Sequence, residues 1–340
     1  MATLRGDVVI PEVFTPYVIE QTTQRDAFLA SGVVQPMAEL NATEGGDFVK
    51  IPSWKANLSG DFEVLTDSSS LTPGKIGTGT QVGVILHRGR AFESRDLAAL
   101  AAGSDPMAAI GAKIADYVSN QRQKDLLACL AGIFGPIGND NTGAKFRDLT
   151  IDNTGSHETV LSPRHVAAAR AKLGDQGDKL TAICMHSKVY YDLVERRAID
   201  YVTAAEGRTS ADSAQPAAFG GSVKAAYDGP VTVPTYMGMR VIVSDDVQEN
   251  GAKSAVYFFT PGAIASGEQL AMRTETDRDI LAKSDAMSID LHYCYHPVGA
   301  AWNVSTVNPT RAQLETIGNW EKVYETKNIG IVRATVTSNY

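Results

Sequence analysis

Apolar residues recur at three- and four-residue steps at Met107, Ile110, Ile114 and Val118, the spacing of one helical face. Ser104 or Asp105 offers an N-cap, and Pro106 sits where a first helical turn favours proline. A polar stretch of Gln121, Arg122, Lys124 and Asp125 then gives way to Leu126, Leu127 and Leu130, and Gly132 and Gly135 close the run. The pattern predicts one helix over 104–134, roughly 42 Å long at the usual rise. Its polar middle predicts a rod lying along a surface or an interface rather than one buried in a core.

Two extended runs flank a polar tip before that helix. Phe48 to Trp54 leads out, Gln81 to His87 returns, and Asp67-Ser68-Ser69-Ser70-Leu71-Thr72-Pro73-Gly74 between them is rich in turn residues. Arms of about ten residues reach roughly 33 Å. A lone two-stranded ribbon is marginal in water, so this one must pack on its own body or on a neighbouring copy.

Residues 160–300 alternate helix and strand. Ser162-Pro163 opens a helix with Val166, Ala169 and Leu173 on one face, and Gly174 ends it. Leu180 to Met185 reads as a buried strand, and Ser187 as the cap of a second helix through Tyr190, Leu193 and Val194. Residues 204–228 are rich in Ala, Gly and Ser and predict a loop. Val231 to Val243 predicts two strands about Met237-Gly238, with further strands at Ala255–Thr260, Met287–Tyr295 and Ile329–Val336. The first 44 residues alternate apolar pairs with prolines, as in Val8-Val9-Ile10-Pro11, and predict an extended arm with a short helix near Tyr17–Leu29. No fixed-period repeat is visible.

Composition narrows the function. The 340 residues are 44% hydrophobic and carry 31 Lys and Arg against 39 Asp and Glu, a net charge of −8. Disorder is excluded by the apolar content, and an acidic chain is a poor grip for nucleic-acid phosphates. Cys129, Cys184 and Cys294 are far apart and odd in number, which argues against a disulfide framework or a structural zinc site. The amino terminus lacks the apolar segment of a secretory signal, so a soluble protein of a reducing compartment, with no membrane partner, is expected.

The search for chemistry returns no catalytic, cofactor-binding or metal-binding residue. No G-x-S-x-G or S-x-x-K occurs. Gly77-Thr78-Gly79-Thr80-Gln81-Val82-Gly83 misses the dinucleotide spacing by one residue and leads into a strand. His292, Cys294 and His296 alternate onto one strand face, but the outer two lie about 13 Å apart, too far to share one ion. Asp245-Asp246 and the run Glu275, Asp277 and Asp279 beside Arg273 and Arg278 read as solvated or ion-paired faces.

The order of arm, long ribbon, spine helix, mixed body and closing strand resembles the major capsid proteins of tailed double-stranded DNA bacteriophages, the HK97-like fold. Leu161-Ser162-Pro163 through Gly174-Asp175 and Met185 to Leu193 look like that family's A-domain helix, strand and helix. Tyr236 to Asp246 is similar to its glycine turn and strand, His296-Pro297-Val298-Gly299-Ala300-Ala301-Trp302 to its HPxGxxW stretch, and Asn308 to Tyr324 to its closing segment. The resemblance implies an α+β HK97-like capsid fold with an N-arm, an E-loop β-ribbon, a long spine helix in the P-domain and a mixed α/β A-domain. It divides the chain into an N-terminal arm (1–45), E-loop (46–93), P-domain with spine helix (94–154), A-domain (155–290) and P-domain return with the C-terminal strand (291–340).

That resemblance implies a major capsid protein of the virion, not an enzyme, assembling with itself into hexamers and pentamers of an icosahedral shell around double-stranded DNA, without sequence-specific binding. It also implies a portal at one vertex, with scaffolding and decoration proteins as possible partners. Because the arm begins near Met1, any scaffold is expected to be a separate protein. An encapsulin-like nanocompartment shell is the alternative. A hydrolase built around His186, Ser187 or His292, or a secreted adhesin, is a more distant one.

Overall fold

The computed structural model describes residues 28, 31–41, 45–55, 62–63, 76–96, 106–137, 143–152, 160–203 and 232–338. The ribbon tip Asp67–Gly74, the loop 204–228, the cap candidates Ser104 and Asp105, and nearly all of the N-terminal arm lie outside them.

Strands β1 (Val34–Pro36), β2 (Phe48–Trp54), β3 (Thr78–Val84) and β4 (Leu86–Arg95) precede the long helix α1 (Pro106–Phe134). Next come β5 (Thr150–Asp152), α2 (Pro163–Leu173), β6 (Ala182–Met185), α3 (Ser187–Glu195) and β7 (Asp200–Thr203). β8 (Thr232–Tyr236), β9 (Met239–Val243), β10 (Glu249–Asn250) and β11 (Lys253–Phe259) follow. The chain closes with β12 (Ile264–Asp279), β13 (Ser284–Pro297), β14 (Ala300–Trp302), α4 (Arg311–Leu314), β15 (Trp320–Lys322) and β16 (Ile331–Thr337).

Among the described residues these strands build two main sheets. The smaller runs β1-β12-β13-β4, and the larger runs β5-β16-β11-β6-β9-β8-β7 with β10 on β11. In the larger sheet every residue of β6 is buried, and so are all but the first of β11 and the last of β16. That is the pattern of strands covered on both faces. The β8–β9 hairpin turns at Met237 and Gly238, both at positive φ, as a two-residue turn matching strand twist requires.

Helix α1 joins the sheets. Its first half lies on the smaller one, where Tyr117 meets Phe92 edge to face at 5.7 Å. Its last nine residues, Leu126–Phe134, are all buried, and Phe134 lies against Tyr257 of β11 at 5.9 Å. Gly135, at φ 76°, ends the helix, and its amide donates to the Ala131 carbonyl at 2.7 Å. The expectation of a surface rod is therefore corrected. The polar middle is buried or half-buried because its side chains find partners on both sheets.

Three further differences have local causes. The predicted return strand Gln81–His87 divides at Ile85, whose amide donates to Asp47. Up to Val84 the chain pairs with β2, and from Leu86 it pairs with β13. Helix α3 is capped by His186, whose Nδ1 accepts from the Lys188 amide at 3.2 Å, and not by Ser187. The long strand β12 carries Gly, Gln, Glu, Arg or Asp at half of its positions and has little strand signal of its own. Its pairing with β13, from Ile264 opposite Pro297 to Asp279 opposite Ser284, imposes the conformation.

Candidate functional site

The residues screened for chemistry are held by neighbours within the fold, although the buried Nδ1 of His296 has no hydrogen-bond partner among the described residues. His292 stacks on His87 with ring centroids 4.2 Å apart, and its Nδ1 lies 3.2 Å from Gln269 Oε1. Burial and the neighbouring His87 lower its pKa. His296 is buried with Nε2 3.1 Å from Gln81 Oε1, and burial pulls its pKa down to about 4. Cys294 is buried, with its thiol pushed up to about 12. No three His, Cys, Asp or Glu side chains among the described residues are grouped to hold a metal ion.

His186 and Ser187 belong to a surface ion cluster. His186 Nε2 lies 3.8 Å from Asp245 and 3.5 Å from Glu249, and Lys188 lies 3.3 Å from Glu249. Hydrogen bonding from Ser187, then the charges of His186 and Lys188, hold the Asp245 carboxyl below its ordinary range. His292 sits on β13 with His87 and Gln269 instead, so the structure does not draw these three residues together as one site. In the acidic run, Arg273 pairs with Glu275, while Arg278 pairs with Asp285 at 2.9 Å and Asp96 at 2.7 Å.

A polar seam along α1 fixes the relation of the sheets, and it centres on Asp125, a residue 1% exposed. Its carboxylate accepts from Arg88 Nε of β4 at 3.0 Å, Arg311 Nε of α4 at 2.9 Å and the Tyr293 hydroxyl of β13 at 2.7 Å. Arg122 pairs with Glu268 at 3.1 Å and spreads over the Tyr293 and Tyr295 rings at 5.2 and 5.5 Å. Toward the larger sheet, Gln123 Nε2 donates to Ser244 Oγ at 2.7 Å and Lys124 lies 3.5 Å from Asp246. Sequence reasoning saw this stretch only as polar. The signal it offered was an acidic residue directly before an unbroken apolar run.

The ribbon β2–β3 leaves this frame from a fastened root. Val49 and Ile51 of β2 pack on Leu40, Ala265 and Cys294. Gln81 of β3, 5% exposed, accepts from the Gly299 amide at 2.8 Å through the same Oε1 that meets His296, and its amide donates to the Tyr324 hydroxyl at 2.8 Å. Farther out the cover ends. Trp54 is 69% exposed, Ile76 44% and Phe62 fully so. Among the described residues the ribbon packs on its own body at the root, and Trp54, Phe62 and Ile76 farther out offer apolar area that no other described residue covers.

A second open region lies at the β7 end of the larger sheet. Tyr191 and Val194 of α3, Tyr201 of β7 and Met237 of the β8–β9 turn are all exposed. Tyr190 and Tyr201 share a hydrogen bond of 3.1 Å between their hydroxyls, and this contact raises the Tyr190 pKa to about 12.

Residues 12–330 match the family profile described as Gp13-like, major capsid protein 13-like. A relative named major capsid protein, from Bacillus phage SPP1, is 36% identical over 341 residues and is aligned across 96% of each chain. The solved capsid of Ralstonia phage GP4 superposes with a TM-score of 0.57 at 10% identity, over 93% of this chain and 92% of that one. The cyanophage Pam1 capsid asymmetric unit gives a TM-score of 0.56 at 13% identity, over 99% and 94%. The two structures establish a shared α+β capsid fold.

Proposed function

The chain belongs to the Gp13-like family of phage major capsid proteins, and from that premise we propose how it acts: copies of it build the icosahedral shell of a tailed-phage virion by laying the ribbon of one subunit over its neighbour. The observation that carries this reading is the contrast between a fastened ribbon root and the exposed apolar side chains of Trp54, Phe62 and Ile76 beyond it. Gln81 and the cluster around Leu40 hold the root on its own body. Trp54, Phe62 and Ile76 are exposed in the isolated chain, and association with another copy would remove that area from water.

The finer assignments follow as part of the same proposal. Residues 46–93 act as the E-loop, 1–45 as an arm strapping an adjacent subunit, and 94–154, with α1 as its spine helix, as the P-domain. The sequence resemblance gives 155–290 to the A-domain and 291–340 to the P-domain return with the C-terminal strand; the pairing of β12 and β13 with β4 supports moving 264–290 to the P-domain instead, and the place of β16 beside β11 supports moving the closing strand to the A-domain sheet. The exposed tyrosines near α3 are suited to contacts around a hexamer or pentamer centre. The shell encloses double-stranded DNA, and the net charge of −8 suits a wall that does not grip its contents. A portal at one vertex, and scaffolding or decoration proteins, complete the proposed set of partners.

The test is assembly. Trp54→Ser with Ile76→Ser should leave subunit melting unchanged and abolish closed shells in electron micrographs and sedimentation. Normal shells from that double variant would refute the ribbon's role. Particles from the native source that hold protein cargo and no DNA would favour the nanocompartment alternative.

A further inference from the structure

Two glutamine–histidine couples on one face of β13 tie the ribbon root to the body. His292 and His296 share that face with Cys294, which lies beneath β3: a Cβ on Gly83 would stand 3.1 Å from its Sγ. On the outgoing leg, Gln269 Nε2 donates to the Gly46 carbonyl at 3.1 Å, while its Oε1 lies 3.2 Å from His292 Nδ1. On the returning leg, Gln81 Oε1 accepts from His296 Nε2 at 3.1 Å and from the Gly299 amide at 2.8 Å. Both legs thus hang on imidazoles. Just beyond them, at Ile85, the chain passes from pairing with β2 to pairing with β13, which gives the ribbon a pivot.

The surroundings of both rings disfavour a second proton. The buried Nδ1 of His296 has no hydrogen-bond partner among the described residues. Around His296 stand Gln81 of β3, Ala265 of β12, Cys294 of its own strand, Gly299 and Tyr324, and no carboxylate pairs with it. Burial pulls its pKa from 6.5 to about 4, so an opened root takes up the proton first as the pH falls below 6.5. His292 meets the His87 ring of β4 at 4.2 Å, Gln269 and Leu270 of β12, and Asp290 two residues back on its own strand. Asp290 favours its protonation, but burial and His87 oppose it and prevail. Nearby cations are engaged elsewhere: Arg88 by Asp125, Arg122 by Glu268 and Arg273 by Glu275. Acid therefore favours any arrangement that opens these rings to water. Opening the root costs less than unfolding the body, because its apolar cover is small: Val49 and Ile51 on Leu40, Ala265 and Cys294.

We propose that the two couples form an acid-released latch: protonation of His292 and His296 frees Gly46 and Gln81, and the ribbon root swings about Ile85 while both sheets stay folded. The latch is intramolecular and does not rest on the shell reading. Within a shell it makes the angle of the ribbon depend on pH.

Hydrogen exchange of the unassembled full chain, read by mass spectrometry and corrected for the intrinsic pH dependence, tests the latch. From pH 7 to 4.5 the protection of β2 and β3 should fall about tenfold or more, while β6 and β11 keep theirs. His292→Gln with His296→Gln should remove that acid response. Gln269→Ala should lower ribbon protection already at pH 7 and leave β6 and β11 unchanged. Constant ribbon protection in the unaltered chain, equal loss in ribbon and body, or an acid response that survives both histidine substitutions would overturn the proposal. If the double histidine variant does not fold, Gln269→Ala decides: ribbon protection equal to that of the unaltered chain at pH 7 overturns the latch, and a selective loss supports it.

Discussion

The Tyr293 hydroxyl donates to Asp125 Oδ2 at 2.7 Å, joining β13 to the middle of α1 at a point sealed from water. The same carboxylate holds Arg88 and Arg311, so one side chain fixes the smaller sheet, the long helix and the closing segment together. Burial, followed by the Asp125 charge, drives the Tyr293 pKa well above its ordinary value.

Removing this hub leaves two guanidinium groups without their shared carboxylate. Asp125→Ala should cost about 3–5 kcal/mol, the usual effect of breaking a buried ion pair from one side. Tyr293→Phe keeps the ring and should cost about 1.5–3 kcal/mol, as expected for a hydrogen bond to a charged group. Urea unfolding of unassembled subunits measures both. Equal losses from the two variants would contradict the central role of Asp125.

The ribbon root should respond to acid. His296 donates through Nε2 to Gln81, and its buried Nδ1 has no hydrogen-bond partner among the described residues. Protonation is therefore disfavoured in the fold, where the pKa is about 4 against 6.5 for the free side chain. Between these values the unfolded chain binds more protons, so stability is complete above about pH 6.5 and falls as the pH drops toward 4. The full effect is roughly 3 kcal/mol. His296→Gln should flatten that part of the profile in subunit melts run from pH 7 to 4. An unchanged slope would show that His296 is not its source.

Gly132 should not tolerate a side chain. A Cβ there would enter the space of the Leu314 carbonyl and lie 2.5 Å from Trp320 Nε1. These are the two atoms that bond to each other at 2.7 Å. Alanine improves helix propensity by about 1 kcal/mol, yet Gly132→Ala should destabilise by about 1–3 kcal/mol, because backbone and a fixed indole must move. Differential scanning calorimetry of the variant gives the sign directly.

The cysteines should be silent in the native subunit. All three are buried, and burial raises each thiol pKa. Maleimide labelling at pH 7 should be undetectable in native buffer and reach all three in denaturant. Rapid labelling before unfolding would refute the packing around Cys294 at the ribbon root.

Several elements were legible because their signals are local. The steps from Met107 to Val118 gave α1, Ser162-Pro163 to Gly174 gave α2, and Met237-Gly238 gave the β8–β9 turn. The cap of α3 was misplaced by one residue because a histidine ring nitrogen does the work expected of a serine hydroxyl. β12 was missed because its residues have weak strand preference and follow their partner strand. The ribbon's need for support was legible, but the contrast between its fastened root and the exposed Trp54, Phe62 and Ile76 was not.

By itself the sequence determined the periodic elements, their order and the capsid resemblance, since backbone periodicity and turn chemistry act over a few residues. Tertiary structure alone decided which sheet each strand joins and how the polar middle of α1 is satisfied. The partners of Asp125 on Tyr293 and Arg311 lie 168 and 186 positions away along the chain. A buried charge must find such partners wherever the fold brings them, and no local pattern encodes that meeting.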